Sequence, residues 1–191
     1  MEKLALKTKM LLGNCAPLVL LIILSIITYN SIGLLLKSNN WVDHTHEVIA
    51  SAKSIEAAAV DMETGMRGYL LAGKEEFLDP YKNGQKRFVE QIAKLQKTVD
   101  DNPAQVELLN NTRDNIREWQ EKVTEPTISL RGEIAKSKTM DDMRDLVGEA
   151  KGKVYFDKFR GQIQTFVDRE RALMQKRKDA AKRSDNVKEL K

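Results

Sequence analysis

Leu11 to Leu36, "LLGNCAPLVLLIILSIITYNSIGLLL", contains no charged residue. A helix crosses a bilayer with about 20 mostly apolar residues, and this run is long enough to do so with some tilt. Pro17 falls near its start, where its missing N–H does least harm. The run is too long for a typical signal-peptide core, and no small-x-small cleavage site follows cleanly. Cleavage near Ser31-Ile32-Gly33 is the lesser alternative. Cys15, the single cysteine, lies inside the run, so no disulfide forms within the chain. It is expected to be a small buried or lipid-facing residue. Lys3, Lys7 and Lys9 precede the run; Lys37, then Asp43 and Glu47, follow it. That Lys/Arg bias places residues 1–10 in the cytoplasm, 11–36 in the membrane and everything beyond residue 37 outside.

Beyond the run the apolar pattern becomes heptad-like. Val48, Ala52, Ile55, Ala59, Met62, Met66 and Tyr69 alternate spacings of four and three, a narrow seam suited to side-by-side helices. Gly73 ends this helix, and "GKEEFLDP" forms a turn. A second helix is predicted from about Pro80 to Thr98, with Tyr81, Phe88, Ile92, Leu95 and Val99 on its seam and Gln85 filling the gap. Asn102 caps a third helix that opens at Pro103, with Val106, Leu109, Ile116, Trp119 and Val123 facing inward. Pro126 kinks or ends it, and a further helical piece reaches about Lys136. Thr139 with Asp142 reads as a variant capping box before a short helix, which weakens at Gly148 and Gly152. A last long helix begins near Val154 and carries Phe156, Phe159, Ile163, Phe166, Glu170 and Leu173. Short connections make successive helices antiparallel, so the expected fold is all-α: a transmembrane helix running into an antiparallel four-helix bundle.

With 31% charged residues but a net charge of only +4, acids and bases are interleaved, and nucleic-acid binding is not expected. The chain contains no GxGxxG, P-loop, GxSxG, HExxH or CxxC, and no carboxylate pair stands out as a general acid and base. An enzymatic role and cofactors are therefore not expected. The only histidines, His44 and His46, stand with Asp43 and Glu47 in "WVDHTHE". Spacing of i, i+2 does not put both on one helix face, so no metal site is expected there. Trp41 reads as an anchor at headgroup level.

Asp61 to Tyr81, "DMETGMRGYLLAGKEEFLDPY", then carries the most specific signal. Glu63, Thr64, Gly65, Arg67, Gly68, Tyr69, Leu70, Gly73, Phe77, Pro80 and Tyr81 follow the order of the CHASE3 family of bacterial extracytoplasmic sensor domains. The chain resembles that family over about Ser38 to Lys182. The resemblance implies an all-helical sensor between two membrane spans, at the front of chemotaxis receptors, histidine kinases or diguanylate cyclases. Residues 37–182 are then the sensor domain, and 183–191 a tail leading toward a second span. That span, a HAMP linker and an output domain are absent before Lys191, so an N-terminal piece of a longer receptor, or a truncated gene product, is expected. "LKTKMLLGNCAPLVLLIIL" leans toward a chemoreceptor start. The basic stretch from Arg171 to Lys191 would lie outside, as a solvated helix end or against anionic headgroups.

Glu63 and Arg67 form an i, i+4 pair in the favourable order, and Gly65 and Gly68 let another backbone approach. Arg67 either bonds carbonyls or a carboxylate across the bundle and fixes register, or holds a ligand's carboxylate or phosphate; the first is favoured. Glu63, Thr64, Arg67, Tyr69, Tyr81 and Trp119 are the candidate ligand-binding or register-setting residues. The expected function is the sensory module of a transmembrane receptor in the bacterial inner membrane, signalling by helix displacement. A homodimer is expected, with a small-molecule ligand or a periplasmic binding protein as partner. The alternative is a membrane-anchored interaction module without a small-molecule ligand.

Overall fold

The computed structural model describes the backbone of residues 6–134, 138–148 and 151–189, and, within these, all side chains except those of 6–14, 16, 34–39, 181–182 and 184–189. Every regular element among them is helical. In order they are α1 (Leu6–Ala72), a 3-10 turn (Glu75–Leu78), α2 (Asp79–Thr98), α3 (Pro103–Trp119), a π-helical turn (Gln120–Thr124), α4 (Glu125–Glu133), α5 (Met140–Gly148) and α6 (Lys151–Glu189). The last helix thus begins at Lys151, ahead of the expected Val154, and Val154 is exposed. Lys136, the expected end of the piece after Pro126, lies outside the described residues.

The chain divides into two compact units. One gathers the two ends, up to Asp43 and from Met174. In it the apolar side chains from Leu18 to Ile32 are largely exposed, Leu20 and Leu21 at 60% each. Among the described residues no helix is long and apolar enough to cross a membrane. The consecutive described side chains of the expected span are those of 17–33, fewer than the ~20 that a crossing needs; the remainder of that span falls mostly outside the described side chains. In the same unit the Arg177 guanidinium stacks on Trp41, 3.9 Å from the ring centroid, a cation–π contact.

The other unit, His44–Leu173, holds the core. The four-three spacing on α1 buries Val48, Ala52, Ile55, Ala59 and Met62 completely. Phe88, Ile92 and Leu95 from α2, Leu109, Ile116 and Trp119 from α3, and Phe156, Phe159, Ile163 and Phe166 from α6 complete it. A run of ring contacts links α3 to α2 through α6: Trp119 with Phe156 at 5.0 Å, Phe156 with Phe159 within α6 at 6.0 Å, and Phe159 with Phe88 at 6.1 Å. Polar links also join the helices. The α1–α2 pair joins Asp61 to Arg87, the Gln96 amide donates to Asn110 at 2.9 Å between α2 and α3, and Asn115 on α3 donates to the Tyr155 carbonyl of α6 at 2.9 Å.

One seam position differs from the sequence reading. Gln85 is exposed, and Gly84 is the buried residue between Tyr81 and Phe88. A Cβ on Gly84 would lie 2.6 Å from the Ala58 carbonyl oxygen, and one on Gly65 only 2.5 Å from the Tyr81 backbone nitrogen. The glycines therefore fill gaps by letting α1 and α2 meet backbone to backbone. Glu170, the polar interruption on α6, is buried and accepts a hydrogen bond from the Gln105 amide at 2.8 Å. The same amide also donates to the Phe166 carbonyl at 3.1 Å.

Helix ends follow local chemistry. Gly73 adopts φ 68°, the left-handed geometry that closes many helices, and its N–H reaches the Tyr69 carbonyl at 2.8 Å. Asn102 caps α3, accepting from the Gln105 N–H at 3.4 Å. Thr139 and Asp142 form the reciprocal box before α5: the Asp142 carboxylate accepts from the Thr139 N–H at 2.7 Å and its hydroxyl at 2.9 Å, and the Thr139 hydroxyl accepts from the Asp142 N–H at 3.3 Å. The Thr139 backbone N–H, then its hydroxyl, hold the Asp142 carboxyl below its ordinary 3.8. A carboxyl depressed in the folded state adds stability above pH 3.8 that is lost as pH falls through its folded value. A carboxyl NMR titration should therefore place the Asp142 midpoint below 3.8. Thr139→Val should return only part of the shift, since the larger cause is the backbone donor; a midpoint unmoved from 3.8 in the native chain would refute the box.

Candidate functional site

A concave feature with polar groups at its rim is built on one face of α1. Glu63, Met66, Arg67 and Leu70 recur at i, i+3, i+4 and i+7, so all four share that face. Met66 and Leu70 are buried, whereas the Arg67 side chain is 69% exposed. The face opens onto a cavity of about 220 Å³.

The opposite wall depends on Pro126. Proline has no N–H to give the carbonyl four residues back, and its ring crowds that carbonyl. The chain responds just upstream by widening into a π turn, in which the Glu125 N–H reaches back to the Gln120 carbonyl. The turn presents Lys122 and Val123 to the cavity, directly after Trp119. Thr127 steadies it: its hydroxyl donates to the Val123 and Thr124 carbonyls, both at 2.9 Å. Leu146 and Val147 of α5 and the first turn of α6, Lys151 to Lys153, close the ring. A Cβ on Gly152 would sit 3.5 Å from Val123 Cγ1 and 3.7 Å from Trp119 Nε1. The indole N–H edge thus lies at the same wall.

The charged side chains among the described lining residues are Arg67, Lys122, Lys151, Lys153 and Glu63, and each of the four cations is already engaged. Glu63 bonds Arg67 at 2.6 Å and lies 3.8 Å from Arg160. Lys122 approaches Glu118 at 3.3 Å, and Lys153 pairs with Asp157. The Glu118 carboxylate, with a smaller contribution from Tyr155, pushes the Lys122 ammonium above its ordinary 10.5, so it stays charged at neutral pH.

Of the residues singled out from the sequence, Glu63, Arg67 and Trp119 meet at this cavity. Tyr69 and Tyr81 are buried in the core, and Thr64 is exposed. The Tyr81 hydroxyl accepts from the Gln120 amide at 3.0 Å; burial raises its pKa above 10.0, with the Gln120 bond opposing. Arg67 pairs within its own helix. The bond to an α1 carbonyl across the core is made instead by Arg131 of α4, whose Nε donates to Leu70 O at 2.8 Å. Its guanidinium also fills the space beside Gly73. Lys122, Lys151 and Lys153 were not legible as site residues, because each sits in an ordinary polar stretch of sequence. Among the described residues no three of His, Cys, Asp or Glu gather as a metal site.

The described unit is all-helical, and its cavity is walled largely by apolar side chains. The CHASE3 domain model matches residues 38–180. The chain belongs to the CHASE3 family and carries the sensor domain of a receptor. Among solved structures it is similar to the crystal structure of the Rhodopseudomonas palustris histidine kinase HK9 sensor domain. That match has a TM-score of 0.60 at 20% identity, covering 69% of this chain and 98% of that one, and is a likeness of fold. No curated protein matches the chain.

Proposed function

We propose that the chain is the extracytoplasmic sensory part of a bacterial inner-membrane receptor. In this reading residues 11–36 cross the membrane with the N-terminus inside. Residues 37–182 fold outside as an antiparallel four-helix bundle that pairs with a second copy. A stimulus shifts the packing of α1 against its neighbours, and that displacement reaches a cytoplasmic signalling domain. The cavity carries the reading: five helical segments and the π turn contribute to it, so a ligand there would favour one packing over another. The exposed apolar side chains from Leu18 to Ile32 support the membrane assignment, since contiguous exposed apolar surface calls for a non-aqueous partner.

The test is a chimaeric receptor: the full chain joined through a second apolar span to a histidine-kinase output. Cysteines in place of Asp61 and Arg87, which pair across α1 and α2, are linked by a short bis-maleimide. Linking should change kinase output several-fold and reduce its response to stimulus. Output indifferent to both linking and every stimulus would rule out signalling through this unit.

A further inference from the structure

We propose that the last turns of α6, from Met174 on, lie against the outer face of the bilayer and bind the headgroups of anionic phospholipids. This rests on the reading of residues 11–36 as a membrane span, and the experiment below separates the two.

The positive charge of the chain is concentrated at this end. Arg171 to Lys191 holds eight Lys/Arg against three Asp/Glu, whereas residues 1–170 hold 24 against 25. The chain is thus close to neutral except in this stretch. Such an asymmetry points to an anionic surface as partner. Ion pairing does not consume the charge. Asp168 takes Arg171 at 3.2 Å, and Asp179 accepts from the Gln175 amide at 2.9 Å. Lys176, Arg177 and Lys178 are three consecutive cations, and none of them pairs with a carboxylate among the described residues.

The fold brings this triplet to the end of the apolar run. Residues up to Asp43 and from Met174 form one compact unit, and within it the Arg177 guanidinium lies 3.9 Å from the Trp41 ring centroid. A helix rises about 1.5 Å per residue, so Trp41 stands about 7.5 Å beyond Leu36. That is the level of a headgroup layer about 5–8 Å thick, where Trp is at home. Stacking occupies only the face of the guanidinium. Its N–H donors lie in the plane and point outward from the edge, where a phosphodiester can accept two of them. Lys176 is exposed beside it, and Arg183 is exposed further along the same helix.

The same unit also decides which anion fits. Its side chains from Leu18 to Ile32 are exposed and largely apolar. A nucleic acid would meet the cations and leave those side chains in water. A bilayer containing anionic lipid takes both: hydrocarbon for the apolar run and phosphate for the basic helix end.

The experiment is hydrogen exchange of the full chain in nanodiscs of phosphatidylcholine, alone or with phosphatidylglycerol as about a third of the lipid. Amides from Met174 to Arg183 should exchange at least about fivefold more slowly on the anionic surface, the scale of one Lys/Arg near a charged membrane. The effect should shrink in about 0.5 M salt. Lys176→Gln combined with Lys178→Gln should remove most of it. Lys82→Gln combined with Lys86→Gln takes the same charge from exposed positions of α2 and should leave it unchanged. Three results overturn the proposal: equal exchange in the two lipids, equal loss with the α2 pair, or equal slowing in phosphatidylcholine discs by millimolar glycerol phosphate or a short oligonucleotide. The span is read separately. A chain that enters phosphatidylcholine discs but shows no lipid dependence keeps the span and loses headgroup binding. A chain that does not enter them loses the span; capture by the phosphatidylglycerol discs alone then still supports headgroup binding, and no capture overturns it.

Discussion

Replacing Gly65 by alanine will lower the melting temperature of the chain, although the same change normally strengthens a helix by about 1 kcal/mol. The added Cβ would lie 2.5 Å from the Tyr81 nitrogen and 3.2 Å from the Phe77 carbonyl oxygen. Both are backbone atoms and cannot rotate away. Forced shifts in a packed interior cost about 1–3 kcal/mol, occasionally more. After the helix gain is subtracted, a net loss of about 1 kcal/mol is expected. For a chain of this size that is roughly 2–4 °C. Gly84→Ala, aimed at the Ala58 carbonyl from 2.6 Å, should behave alike. Gly161 supplies the control: it lies in α6 with nothing within 4 Å of its would-be Cβ. Gly161→Ala should raise the melting temperature by roughly 2–4 °C. Melting followed by circular dichroism decides it. If Gly65→Ala and Gly161→Ala shift in the same direction, the close α1–α2 approach is wrong.

Gln105→Leu should be at least as damaging. Gln105 is fully buried, and its amide serves both Glu170, 3% exposed, and the Phe166 carbonyl. Leucine leaves a buried carboxyl without that donor. Removing one partner of a buried polar pair costs about 3 kcal/mol, most of it the desolvation of the group left behind, or roughly 6–12 °C. Glu170→Leu added to Gln105→Leu should recover most of the loss, because apolar replacement of both partners is often nearly neutral. Glu170→Gln alone should cost little, since an amide oxygen still accepts from Gln105. A double mutant as unstable as Gln105→Leu would show that the cost lies elsewhere, in the Phe166 carbonyl or in misfit of the leucine.

Much of the core was legible because period and burial report the same physics. Val48 to Tyr69 repeat at four and three, and a helix with that repeat has one face to hide. The capping box at Thr139 and the turn at Gly73 were equally plain, since each needs residues only three or four apart. What failed to show depends on distances that sequence does not encode. Gly84 was passed over for Gln85, because a seam can close by removing a side chain as well as by supplying one. Arg67 stood out in its motif, yet Arg131, 61 residues beyond Leu70, makes the cross-core bond. Of the cavity, Glu63, Arg67 and Trp119 were found. Lys122, Lys151 and Lys153 were not, because their convergence is created by the fold.

The π turn at Gln120–Thr124 is also a statement about length. A π turn spends one more residue per turn than an α-helix does. The wider turn absorbs that extra residue, so the faces before and after it stay nearly aligned, while Lys122 and Val123 are carried on the widened part that borders the cavity. A relative with one residue fewer between Trp119 and Pro126 would have no residue to spend on the widening, a difference visible as a gap in an alignment even where no side chain has changed.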